Sequence, residues 1–182
     1  MGSFTLEPIK RISMRNKNTN YIKTINIVIV FFVIGFVGRA AAGPLEYGVN
    51  AFQQGDYAGA FRVWSPLADQ GNAIAQYNLG VMYYEGQGVP RDYGSAVKWF
   101  LRAANQGNSD AQRSLGVLYY EGNGVPQDDV RAYMWFDLSA INGNQEGLDN
   151  RNMIAKRMTF AQISEAQRLT RGWRPTHDRR GR

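Results

Sequence analysis

Apolar and polar residues alternate with the spacing of amphipathic helices along the middle of the chain. Two such segments follow one another, and their apolar positions, three or four residues apart, are Ala75, Leu79, Met82 and Tyr83 in helix A, then Ala96, Trp99, Phe100 and Ala103 in helix B. Gly86 is suited to end helix A in a left-handed conformation, and Pro90 prevents the helix from resuming. Asp92 offers an N-cap for helix B. The pattern predicts a helical hairpin in which each helix buries one stripe of apolar side chains.

The hairpin pattern returns 36 residues later, where LGVMYYEGQGVP of residues 79–90 becomes LGVLYYEGNGVP at 115–126. The register then places Tyr119 and Trp135 in the core, and Asp128 at an N-cap. A shorter copy comes first, with Ala60 and Trp64 in the positions of Ala96 and Phe100. A period of this length is typical of stacked units, because one hairpin cannot bury its own apolar face. We predict an all-α chain with three units, at 44–71, 72–107 and 108–143.

A closing pair of helices is predicted after the third unit, at residues 145–157 and 160–173. Thr159 and Gln162 have the spacing of a capping box at the start of the second helix. A stack of repeats needs such an end, because the last apolar face would otherwise stay open to water. Residues 174–182 then form a basic tail.

The first 42 residues have the pattern of a secretory signal peptide. Residues 25–37 are almost wholly apolar, basic residues precede them, and Ala40 and Ala42 stand at the small positions of a cleavage site. A membrane anchor is the alternative, although a span needs about 20 apolar residues. We expect cleavage after Ala42 and a periplasmic or secreted protein. Whether translation starts at Met1 or at Met14 stays open.

Removal of this leader would change the charge of the chain. Six of the 21 basic and one of the 15 acidic residues precede residue 43, so the remainder carries 15 against 14, a net charge of +1 instead of +6. The basic character is therefore a targeting feature and gives no support to nucleic-acid binding. The arginines of the tail are either solvated or in contact with an anionic envelope surface. The chain has no cysteine, so packing alone must stabilise it.

Two of these motifs resemble known helical repeats. Leu79-Gly80-x-x-Tyr83 followed by Ala96-x-x-x-Phe100 resembles the tetratricopeptide signature. The 36-residue length, the YEGQGVP loop and the Ala-Ala-x-x-Gly-Asn junction are more specifically similar to Sel-one-like repeats of exported bacterial proteins. The resemblance implies an α-solenoid of antiparallel hairpins over residues 43–144 with a C-terminal capping helix pair. It also implies a scaffold without a cofactor that binds a protein or peptide partner, as an adaptor, assembly factor or regulator in the cell envelope.

The same resemblance points to a partner-binding surface. In tetratricopeptide hairpins the A helices line the concave groove, and the corresponding positions of two successive units are Tyr77, Val81, Tyr84 and Glu85, then Arg113, Val117, Tyr120 and Glu121. Tyrosine and arginine are frequent anchors of protein interfaces. The structural alternative is that Tyr84 and Tyr120 only pack between adjacent hairpins.

Catalytic chemistry has little support in the sequence. Ser95 and Lys98 form an S-x-x-K motif, but penicillin-recognising enzymes also need S-D-N and K-T-G elements, which residues 43–182 lack. His177 is the sole histidine, so neither acid–base catalysis by histidine nor a metal site is indicated. We predict that the chain is not an enzyme. The alternative function is binding of cell-wall fragments or β-lactam-like ligands with weak hydrolase activity, and a purely structural spacer is a further alternative.

Overall fold

A computed structural model of the chain describes residues 43–173. Over this range the regular elements are all helices, which confirms the predicted all-α class, and they are α1 Pro44–Gln53, α2 Tyr57–Asp69, α3 Ala73–Glu85, α4 Tyr93–Ala104, α5 Ser109–Glu121, α6 Asp129–Ile141, α7 Gln145–Ala155 and α8 Phe160–Gly172. Helices α1 and α2, α3 and α4, and α5 and α6 pack in pairs, and each pair packs on the next. The predicted leader and the basic tail lie outside the described residues.

Polar side chains cap the helices at intervals of 36 residues. Each accepts a hydrogen bond from the backbone N–H three residues further on, which satisfies a donor that the helix start would leave unpaired. The capping residues are Asn72, Asn108 and Asn144 for α3, α5 and α7, and Asp56, Asp92 and Asp128 for α2, α4 and α6, with distances of 2.8 to 3.1 Å. The predicted caps at Asp92 and Asp128 and the capping box at Thr159 are confirmed.

A glycine of helix A lies directly under an aromatic ring of helix B in every hairpin. The pairs are Gly48 with Trp64, Gly80 with Phe100, and Gly116 with Phe136. A Cβ atom on any of these glycines would overlap the ring, so the missing side chain is what allows the two helices to approach. All three rings are buried, with at most 1% of their surface exposed. The first unit therefore has the same core arrangement as the later two, as its sequence predicts.

The predicted register of the core holds for the aliphatic positions. Ala75, Leu79 and Met82 have no exposed surface, and Trp135 is buried. The edge of the Trp173 ring packs on Trp135, with 6.4 Å between the ring centroids.

Three aromatic residues predicted for the core, Tyr83, Trp99 and Tyr119, are instead partly exposed. They lie at the margin of their hairpins, where long cationic side chains can cover them. The guanidinium of Arg102 lies 4.5 Å from the ring centre of Trp99, and that of Arg131 lies 5.6 Å from Tyr119. These guanidinium groups cover part of Trp99 and of Tyr119. Tyr83 instead packs against the ring of Phe61 in α2, with 6.4 Å between the ring centroids.

The two C-terminal helices α7 and α8 both pack on α6, the last helix of the third hairpin. Ile154 of α7 and Ala166 of α8 are fully buried. Two ion pairs also join this end of the chain to α6. Arg151 lies 2.9 Å from Asp137, and Arg157 pairs with Asp129. The apolar face of α6 is thus covered.

Candidate functional site

The eight predicted groove residues fall into a buried and a partly exposed group. Tyr77, Val81, Tyr84, Arg113 and Val117 are buried, with 1 to 6% of their surface exposed. Glu85, Tyr120 and Glu121 are partly exposed and form what we call the A-helix rim. Five of the eight predicted groove positions are therefore buried within the chain. Whether any of the eight binds a partner stays a prediction.

Contacts with neighbouring residues explain why Tyr77 and Tyr84 are buried. The ring of Tyr77 packs on Phe100, with centroids 5.7 Å apart, and the ring of Tyr84 meets the edge of Tyr93 at 5.3 Å. The hydroxyl of Tyr84 lies 3.5 Å from the carboxylate of Glu121, one hairpin further on. The ring of Tyr84 therefore contacts its own hairpin, and its hydroxyl reaches the next one.

The A-helix rim lies at the C-terminal ends of α3 and α5. The carboxylate of Glu121 accepts a hydrogen bond of 2.7 Å from the side chain of Asn123. Burial raises the pKa of Glu85 and of Glu121 above the usual glutamate value. The guanidinium of Arg157 lies 4.4 Å from the ring centre of Tyr120. The rim thus offers two carboxylates and one aromatic ring at partly exposed positions.

A buried polar group, here called the Arg113 cluster, lies between α3, α5 and α7 and consists of Tyr77, Asp110, Arg113 and Glu146. Only 2% of Arg113 is exposed, and its Nη1 lies 3.3 Å from Oε2 of Glu146. Among the described residues, the Nε and Nη2 atoms of Arg113 have no hydrogen-bond partner. Asn144 donates a 2.8 Å hydrogen bond to Asp110.

Burial controls the ionisation of the cluster. It raises the pKa of the Asp110 carboxyl, although the nearby charge of Arg113 acts in the opposite direction. Burial also raises the pKa of the Tyr77 phenol, and the charge of Asp110 adds to that effect. Tyr77 is therefore a neutral hydroxyl that can donate a hydrogen bond at physiological pH.

Asp110→Asn is expected to flatten the pH dependence of the free energy of unfolding. Because folding raises the pKa of Asp110 above 3.8, the folded chain holds this proton more tightly than the unfolded chain does. Stability from this group is greatest below pH 3.8 and falls as the pH rises through the raised pKa. An amide does not titrate, so the variant loses this part of the slope.

Urea unfolding at pH values from about 4 to 7 measures the slope. Asp149→Asn, which changes an exposed carboxylate of α7, is the matched control. The interpretation fails if Asp110→Asn keeps the slope of the unmodified chain.

Sequence reasoning found Arg113 but missed Asp110 and Glu146. One signal was present, because Arg113 stands where the preceding repeat has Tyr77, so a charge replaces an aromatic ring in an apolar row. Glu146 belongs to the capping helix, outside the repeat pattern. Its approach to Arg113 depends on how α7 packs, and residue spacing does not reveal that.

A family model for the Sel1 repeat matches residues 73–108 and 109–144. Residues 73–144 are two Sel1 repeats. Their bounds enclose helices α3 to α6, so each repeat is one hairpin of the stack.

Two curated relatives are similar to part of the chain. DAP3-binding cell death enhancer 1 of Mus musculus is 42% identical over 74 aligned residues, which cover 30% of this chain and 14% of the relative. The Rattus norvegicus protein of the same name is 43% identical over 45 residues, 25% of this chain and 9% of the relative. The chain therefore spans a small part of the length of these proteins.

Solved structures of two bacterial proteins have a similar fold. A protective antigen of uropathogenic Escherichia coli strains, with an SLR fold, superposes with a TM-score of 0.67 at 35% identity, over 70% of this chain and 28% of that protein. A Sel1 repeat protein from Oxalobacter formigenes gives a TM-score of 0.52 at 31% identity, over 56% and 40% of the two chains. The predicted Sel-one-like solenoid is confirmed.

Sel1 repeats generally mediate protein–protein interactions, and their fold is that of a scaffold. The S-x-x-K motif occupies ordinary positions at the start of α4 in the first Sel1 repeat. Ser95 donates a 2.6 Å hydrogen bond to the capping Asp92, and Lys98 is exposed. Both residues therefore have a structural explanation.

Residues 43–173 contain no helix long and apolar enough to cross a membrane. In the same part of the chain, no three histidine, cysteine, aspartate or glutamate side chains are grouped so that they could hold a metal ion.

Proposed function

We propose that the chain is an exported, non-enzymatic scaffold that binds another polypeptide in the cell envelope, as an adaptor, assembly factor or regulator. The observation that carries this proposal is the pair of stacked Sel1 repeats, since repeats of this kind generally mediate protein–protein interactions. The leader pattern of residues 1–42 supports export.

The A-helix rim is the surface that we assign to the partner. Glu85 and Glu121 occupy equivalent positions of the two Sel1 repeats, and Tyr120 adds an aromatic ring beside the second carboxylate. These three residues combine partial exposure with the side-chain types that anchor and orient a bound chain. A surface this small is expected to depend on a few anchors.

A variant that combines Glu85→Gln, Tyr120→Ala and Glu121→Gln is expected to weaken partner capture by about 2 kcal/mol or more. The partner is identified by cross-linking in cells and purified, and its dissociation constant is measured for the variant and for the unmodified chain. Lys98→Ala, on the exposed side of α4, is the control and should leave affinity unchanged. Equal affinity of a folded triple variant, judged by circular dichroism, would refute the assignment of the rim.

If the chain is exported, the leader should be removed from the mature protein. Cleavage after Ala42 leaves Gly43 as the first residue. The intact mass of the protein recovered from the cell envelope is expected to correspond to residues 43–182. A mass that includes residues 25–37 would show an anchored protein and would contradict processing.

A further inference from the structure

Asparagine followed by glycine occurs twice in the chain, as Asn123-Gly124 and as Asn142-Gly143. Asparagine is a chemically labile residue, because the backbone nitrogen of the next residue can attack its side-chain amide carbon. A glycine in that next position leaves the approach open, since it has no side chain. Each pair is therefore a candidate for spontaneous deamidation, and the surrounding structure decides which one reacts.

Hydrogen bonds restrain both reacting groups of the pair Asn142-Gly143. This pair follows the last turn of α6, and the N–H of Gly143 donates a 3.0 Å hydrogen bond to the carbonyl of Ala140. The nitrogen that would have to attack is thus engaged. The side-chain amide of Asn142 donates a 2.8 Å hydrogen bond to Gln112, which is fully buried. The fold therefore holds the amide carbon away from the attacking nitrogen.

The pair Asn123-Gly124 lies in the loop between α5 and α6 and has a different environment. Gly124 is exposed, and its N–H donates no hydrogen bond to another residue within 43–173. Asn123 donates a 2.7 Å hydrogen bond from Nδ2 to Glu121, which holds the departing nitrogen and leaves the attacking one unengaged. Asn123 is itself partly exposed, so water reaches the site.

The reaction of this pair needs only water. The nitrogen of Gly124 forms a bond to Cγ of Asn123, the bond from Cγ to Nδ2 breaks, and ammonia leaves with the proton that Gly124 gives up. Water then opens the succinimide ring. Opening at one carbonyl gives aspartate, and opening at the other gives isoaspartate, in which the main chain runs through the side-chain carbon.

The preceding repeat has glutamine in the equivalent place, as Gln87-Gly88. This is one of the two differences between the twelve-residue blocks 79–90 and 115–126. Glutamine would have to close a larger ring, which is a slower reaction. The second Sel1 repeat therefore has a reactive loop where the first has a resistant one.

Conversion of Asn123 would change the A-helix rim. Its amide now donates to Glu121, and an ionised carboxylate in its place has no proton to donate. Two negative charges would then lie side by side. Isoaspartate would also lengthen the main chain between Gly122, which ends α5, and Gly124, which lies against Tyr93 of the preceding hairpin.

We propose that Asn123 is a site of spontaneous deamidation, which adds a third carboxylate to the A-helix rim, and that the fold protects Asn142. The modification takes place in the free chain and requires no partner, so it goes beyond the proposed function. It gives the rim a slow and irreversible change of charge.

Incubation of the full chain at mildly alkaline pH, in native buffer and in concentrated urea, tests the proposal. Digestion with trypsin at mildly acidic pH then separates the two pairs, because Asn123 lies in the peptide 114–131 and Asn142 in the peptide 132–151. Mass spectrometry measures the converted fraction of each. In the folded chain we expect Asn123 to react about tenfold faster, because hydrogen bonds restrain both reacting groups of the other pair. In urea the two rates should become similar.

Variants assign the reaction to its residues. Asn123→Gln, which introduces the residue of the preceding repeat, should stop conversion in the peptide 114–131 while the circular dichroism spectrum stays unchanged. Asn142→Gln is the control and should leave the rate at Asn123 as it was. Asn123→Asp reproduces the aspartate product, and we expect it to unfold at a lower urea concentration than Asn123→Ala, which removes the donor without adding a charge.

Three results would overturn the proposal. Equal rates at the two pairs in the folded chain would exclude protection of Asn142. Conversion of Asn123 in urea but not in the folded chain would exclude the site. Equal stability of Asn123→Asp and Asn123→Ala would show that the added charge does not act on the rim. Partner capture by freshly purified, unconverted chain tests the scaffold function separately, so the two failures are distinguishable.

Discussion

Phe136→Ala is expected to lower the free energy of unfolding by about 3–5 kcal/mol. Phe136 has no exposed surface and its ring covers Gly116, so alanine would leave a cavity between α5 and α6. Helices α5 and α6 cannot easily collapse into this space, because their caps and the loop between them hold them in register. Urea unfolding followed by circular dichroism measures the change.

Phe160→Ala is the matched control for this substitution. Phe160 is 86% exposed at the start of α8, so the same change of side chain should alter stability by less than about 0.5 kcal/mol. Similar losses for the two variants would show that the packing of Phe136 on Gly116 does not determine stability.

Gly116→Ala is expected to destabilise the chain by about 1–3 kcal/mol, although alanine favours helix more than glycine does. The new methyl group would overlap the ring of Phe136, which is buried and has no space to move. Thermal or urea unfolding of the variant measures the loss.

Gly172→Ala is the control, because within residues 43–173 no atom outside the adjoining helix backbone lies within 4 Å of the added Cβ. It should be neutral or slightly stabilising. The double variant Gly116→Ala, Phe136→Ala provides a further test, since the added methyl then has room in the cavity. Its loss should be smaller than the sum of the two single losses, and strict additivity would show that the two residues do not interact.

The loops between the paired helices show what residue pattern alone cannot supply. The glycines of the YEGQGVP loop are predictable as turn residues, and Gly88 and Gly124 do have positive φ angles of 72°. A Cβ on Gly88 would also lie 2.6 Å from Tyr57, and one on Gly124 would lie 2.6 Å from Tyr93, in the preceding hairpin. The loop therefore packs on the previous unit, a contact that depends on how the units stack.

The candidate site also has a part that the sequence predicts and a part that depends on how the helices pack. The repeat period identifies Tyr77 and Arg113 as equivalent positions on successive A helices, so that much follows from the sequence. Their burial depends on the neighbouring Phe100 and Glu146, which belong to different helices. For this reason five of the eight predicted groove residues are buried. The partly exposed ones are Glu85, Tyr120 and Glu121, at the ends of α3 and α5.

The sequence by itself determines the helical hairpin, its 36-residue repetition and the caps at Asp92, Asp128 and Thr159. These features depend on residues of one hairpin, whose spacing follows from helix geometry. Only the tertiary structure decides which polar residues of different helices meet. The path from Tyr77 through Arg113 to Glu146 crosses three helices, and its geometry depends on the packing angle between units, which no local pattern encodes.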